Sequence, residues 1–159
     1  QVVIGISLFL TLFIMSPVVT KINTDAYQPY KEEKITQEEF LQKASVPLKE
    51  FMLKNTKKED LNLFVNLAKQ DSKTPAEQMP ITLVIPAFMT SELKRAFIIG
   101  FLLYIPFMII DMIVSSTLMS MGMIMLPPAT ISLPFKLLLF VLVDGWDLLF
   151  KTLASGFHL

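Results

Sequence analysis

Met119, Met121, Met123 and Met125 stand two residues apart in the run MSMGMIMLPP, with Gly122 inside it, Ile124 between the last two methionines, and Pro127 and Pro128 behind. Thioethers are soft and conformationally adaptable. The run is therefore open to three uses: filling gaps in a helical core, closing around cargo of varied shape, or holding Cu(I). On a helix the four side chains scatter round the axis, whereas on an extended loop they share a face. Gly122 and the proline pair disfavour a continuing helix and predict a turn between two apolar helices. Lipid does not tolerate backbone that lacks internal hydrogen bonds, so such a turn must be buried in protein or line a cavity. The copper use would sit better with histidine, cysteine or further methionine clusters in the polar segment, and that segment carries none.

Glu92, Asp111 and Lys136 are ionisable residues in or beside the apolar part of the chain. A charge in such a segment needs a named partner. Asp111 suits either a proton relay or a pairing with a cation or with backbone groups at a helix kink. Lys136 is the only cation between Arg95 and Lys151, and Glu92 the only acid between Glu77 and Asp111, so either carboxylate is available to neutralise Lys136 within the chain or across a subunit boundary. Asp147 and Lys151, four apart, read as a surface pair of small value. No glycine-rich nucleotide loop, histidine-bearing metal motif or nucleophile with a histidine partner is present, and His158, the only histidine, reads as solvated. The expectation is no enzyme, no cofactor and no metal. The absence of cysteine removes disulfides and thiolate sites, and 14 basic against 14 acidic residues lacks the basic excess of a nucleic-acid binder.

These groups are carried by a chain of 159 residues that is 53% hydrophobic, more than a lone soluble domain of one-domain length usually shows. Of its 28 charged residues, 23 fall between Lys21 and Arg95, so the chain reads apolar, polar, apolar. Residues 1–20 carry no charge and as a helix would reach about 30 Å, the thickness of a bilayer core. Residues 21–89 read as a polar, helical domain. Thr36 with Glu39 is a capping box, flanked by Ile35 and Phe40 as a hydrophobic staple. The apolar stripe that follows is expected to be interrupted at Pro47. Thr56 with Glu59 repeats the capping signal ahead of Leu61, Phe64, Val65 and Ala68 at helical spacing. The ITLVI stretch between Pro80 and Pro86 is open between an extended segment and a buried turn. Thr90 or Ser91 is expected to cap a long helix kinked at Pro106, and residues 90–159 to form a kinked apolar hairpin with a methionine-rich loop at about 119–134. With no initiator methionine or signal peptide, the start reads as processed or truncated.

The stretches FLTLFIMSPV, DAYQPY, TSELKRAF and IPFMIIDMIVSSTLMSMGMIMLPPATISLPFKLLLFVLVDGWDLL closely resemble the FliP family of flagellar type III export-gate proteins and its injectisome counterparts. The resemblance implies an all-α subunit, non-enzymatic, in a helical multi-subunit export gate. It implies a ring of further copies, taken to be pentameric, with FliQ, FliR and FlhB-like proteins as partners and unfolded polypeptides as cargo. The setting it implies is the bacterial inner membrane at the flagellar basal body, with the polar segment extracytoplasmic. Residues 123–125 match the loop that forms a methionine gasket in the pore. Many relatives carry three consecutive methionines there; β-branched Ile124 is stiffer, and Met121 or Met119 stand to compensate. Glu92 and Lys136 match a charge pair linking neighbouring subunits. A proton-coupled transporter subunit using Asp111 is the alternative.

Overall fold

The computed structural model describes residues 1–70, 74–123 and 125–158, and every regular element among them is a helix. Two compact units result: Gln1–Leu93 with Ala154–Leu159, and Lys94–Leu153. In the first unit, α1 (Val2–Ile22) widens into a π turn (Asn23–Tyr27) and continues as α2 (Gln28–Lys31). The widening falls just ahead of Pro29, which has no N–H to give to the carbonyl four residues back. The helix thus runs past Lys21, where charge begins, and the polar segment starts in mid-helix. After a turn come α3 (Gln37–Asn55), α4 (Lys58–Leu67) and a 3₁₀ turn (Ala76–Gln78). Helix α5 (Ile81–Ser120) starts in the first unit and ends in the second, which also holds α6 (Pro128–Leu142) and α7 (Gly145–Ser155) as far as Leu153.

Several local expectations meet a different outcome. The Thr36–Glu39 capping box is formed, with the Thr36 N–H donating to Glu39 Oε2 at 2.9 Å. Helix α3 nevertheless runs through Pro47 without interruption. The ring costs one ladder bond, but Pro47 is itself buried near Phe51, and burial offsets a local defect. Thr56 does not cap α4. It ends α3, its hydroxyl donating back to Met52 O at 2.6 Å.

The ITLVI stretch is helical, because Pro80 accepts the first α5 bonds, from the Leu83 and Val84 N–H groups. Thr90 and Ser91 therefore lie ten residues inside α5 and cap nothing of their own. Ser91 Oγ instead accepts the N–H of Lys57, the N-cap of α4, at 2.9 Å and donates to the buried Asp60 carboxylate at 2.7 Å. A serine from another helix thus sits between the two groups that a capping box would join directly. The stripe on α4 packs as its spacing implies: Val65, with Met79, Leu83 and Val84, forms a buried cluster flanked by Leu61 and Phe64.

In the second unit, Asp144 takes φ +50° and separates α6 from α7, a division the apolar pattern did not foretell. Beside it, the face of Gly145 is closed to any side chain by the ring of Phe140, which packs between Phe107 and Trp146 at centroid distances of 6.5 and 5.3 Å. Helix α5 is continuous through Pro86 and Pro106.

Val2–Lys31 and Ile81–Ser120 are long and apolar enough to cross a membrane. Their large side chains, Phe9, Phe13, Phe97 and Phe101 among them, are exposed within the chain. The hydroxyls on the same helices turn inward to their own backbone: Ser7, Thr11, Thr20, Ser116 and Thr117 each donate to the carbonyl four residues back at 2.7–2.9 Å.

Candidate functional site

The methionine run is built on a helix stop. The Gly122 N–H donates to Met119 O at 3.1 Å and the Met123 N–H to Leu118 O at 3.0 Å, while Gly122 takes φ +72°. This crossed pair of bonds with a left-handed glycine is the Schellman ending of a helix, and it satisfies carbonyls that would otherwise be orphaned. Pro127 then serves as N-cap and Pro128 as the first residue of α6, where a missing N–H costs nothing. With α5 ending at Ser120 and α6 starting at Pro128, the described residues between them, 121–123 and 125–127, make a shorter non-helical segment than the expected 119–134. Residues 128–134 belong to α6.

Met119 lies in the last turn of α5, Met121 and Met123 on the turn itself, and Met125 beyond; Ile124 lies outside the described residues. All four methionines are exposed, from 41% at Met123 to 98% at Met125. They do not fill the interior of the second unit, which overturns their reading as gap fillers in this chain. Between α5 and α6 an open apolar cavity of about 400 Å³ is bordered by Val114, Thr117, Leu118, Ile131 and Phe135, so the hairpin leaves its own seam unfilled.

About two and a half turns before the end of α5, Asp111 meets α6. Its Oδ2 accepts from Lys136 Nζ at 2.7 Å and its Oδ1 from Ser132 Oγ at 2.6 Å. Ser132 is fully buried and the two charged side chains are largely shielded. Ser132 and Lys136 are four apart on α6, so they share a face and one carboxylate receives both. The structure brings Asp111 and Lys136 together within one chain. Ser132 went unnoticed in the sequence, although its i, i+4 spacing to the only nearby cation was the available signal. Glu92 belongs to the first unit, Asp111 and Lys136 to the second. Asp147 and Lys151 pair on the surface of α7. His158 is exposed. Among the described residues no group of three or more histidine, cysteine, aspartate or glutamate side chains is placed to hold a metal ion.

A sequence profile of the FliP family matches residues 1–153. The flagellar biosynthetic protein FliP of Bacillus subtilis (strain 168) is 56% identical over 157 residues, covering 99% of this chain and 71% of the relative. Its namesake in Aquifex aeolicus (strain VF5) is 54% identical over 99% of this chain and 67% of the relative. That of Pectobacterium carotovorum subsp. carotovorum is 51% identical over 99% of this chain, which spans only 61% of that relative's length.

Proposed function

The chain belongs to the FliP family, and we propose that it serves in flagellar biosynthesis as a non-enzymatic, pore-forming subunit of the type III export gate. In this reading it passes unfolded polypeptides across the bacterial inner membrane at the basal body. The observation that carries it is the methionine turn. A glycine-stopped helix and a proline-started helix carry four thioether side chains that are all exposed within the chain. Adaptable side chains at a constriction close around an extended chain of any sequence and close on one another when it has passed. The unfilled seam between α5 and α6 and the exposed faces of α1 and α5 support a place in a larger assembly. Further copies in a ring, with FliQ, FliR and FlhB-like proteins, are the proposed neighbours, and the polar part of the first unit is proposed to lie on the extracytoplasmic side.

Replacing residues 123–125 by glycine, or deleting them, in cells that still form the complex should raise ion leakage and disturb export. Unchanged leakage and export would remove the turn from the seal. Asp111 separates this reading from a proton-coupled transporter. Both its oxygens are occupied by Ser132 and Lys136, which supports a structural role. A relay predicts that Asp111→Asn blocks transport in a complex that assembles at full yield; the pairing role predicts that assembly itself suffers.

A further inference from the structure

Asn55, the last residue of α3, is 2% exposed, and both ends of its side-chain amide are engaged. Nδ2 donates to Phe51 O at 2.8 Å and to His158 O at 3.0 Å, while Oδ1 accepts the His158 N–H at 2.8 Å. Only one orientation of the amide meets two carbonyls with its donors and one N–H with its acceptor, so the contacts fix it. One side chain therefore reads both backbone groups of a residue 103 positions away, in the way a neighbouring strand would. The His158 side chain takes no part and is exposed. The residue before it supplies an anchor: Phe157 stacks on Phe51 at 6.0 Å with an interplanar angle of 18°, and Phe51 meets the edge of Phe88 at 5.8 Å. All of this lies within the first unit.

We propose that Phe51, Asn55 and Phe88 form a binding site for extended polypeptide, selective for an aromatic residue followed by any residue, and that its resident occupant is the chain's own Phe157–His158 segment. The selectivity follows from the contacts. A bidentate amide senses backbone and is indifferent to side-chain identity at the second position, whereas ring stacking demands a flat apolar group at the first. The site is independent of the methionine turn and of any role in export.

Hydrogen exchange on the 159-residue chain tests the resident occupant. The His158 amide should be protected, and Asn55→Ala or Asn55→Asp should make it exchange about five- to tenfold faster, the factor an ordinary hydrogen bond represents. Asp is the sharper variant, because it keeps the shape and presents an acceptor to the His158 carbonyl. His158→Ala should leave protection of residue 158 unchanged, and Phe157→Ala should lower it. An unprotected His158 amide in the unsubstituted chain, or protection insensitive to Asn55→Asp, would overturn the site.

A labelled peptide matching residues 153–159, added to the chain truncated after Ser155, tests the open site. The peptide and its His158→Ala form should bind saturably and its Phe157→Ala form should not. Absence of binding, or binding indifferent to the phenylalanine, would overturn the selectivity.

Discussion

Gly122 is a place where backbone chemistry decides the outcome. Its φ of +72° is open to glycine and costs other L-residues about 1–2 kcal/mol, and nothing lies within 4 Å of where a Cβ would sit. The penalty for a side chain there is consequently one of backbone conformation alone, free of any clash. Gly122→Ala should lower stability by about 1 kcal/mol and Gly122→Val by more, read as a fall in the thermal midpoint of the extracted complex. If Gly122→Ala melts with the unsubstituted protein, the crossed ending of α5 is not held in solution. Ser132 shows the complementary limit at this scale. Its importance comes from a carboxylate 21 positions earlier, and its own neighbourhood offers only the four-residue spacing to Lys136 as a sign of it.

At the scale of the element, the start of α3 couples stability to pH. The Thr36 backbone N–H first, and then its hydroxyl, hold the Glu39 carboxyl below its ordinary value. A depressed carboxyl pKa contributes stability that is present above the unfolded value of about 4.3 and is lost as pH falls through the folded one. Glu39→Gln keeps the capping geometry without a titrating proton. Between pH 6 and pH 3 the midpoint of the unsubstituted chain should therefore fall further than that of Glu39→Gln; parallel curves would deny the coupling. The junction of α4 and α5 predicts a different loss. Ser91→Ala withdraws a donor from buried Asp60 and an acceptor from the Lys57 N–H, which should cost about 1–3 kcal/mol and open the start of α4 to limited proteolysis.

These two helix starts also mark what the sequence could disclose. Thr36 and Glu39 are three apart and act on each other, so the signal is local and legible. Thr56 and Glu59 have the same spacing, yet the capping contacts at that start come from Ser91, more than thirty positions on. Pro47 misleads for a related reason: its penalty belongs to one bond, while the packing that outweighs it belongs to the whole unit. The candidate site divides in the same way. Glycine followed by paired prolines announced the turn, but the pairing of Asp111 with Ser132 and Lys136, and the hold of Asn55 on residue 158, depend on tertiary contacts that spacing does not encode.

For the whole molecule, the proposed ring raises the question of how copies would meet. Lys136 carries three donors and gives one to Asp111 in its own chain, so the proposed link to Glu92 of a neighbouring copy would make it a shared cation. Glu92→Lys or Lys136→Glu alone should reduce the yield of assembled complex, and the double exchange should restore part of it, measured by native electrophoresis after detergent extraction. A double exchange that assembles no better than the singles removes the link. Because Lys136→Glu also abandons Asp111, full restoration is not expected.

The hydroxyls of the long helices bear on how such a subunit reaches its place. Ser7, Thr11, Thr20, Ser116 and Thr117 ask nothing of their surroundings, since each already bonds to its own turn. A helix of this kind is almost indifferent to whether hydrocarbon tails or another apolar helix lies against it. Its exchange of one environment for the other involves little change in polar solvation and is decided by fit. The same span would thereby suit two successive hosts, lipid during insertion and protein in the proposed assembly, with none of these five hydroxyls in need of a new partner on the way.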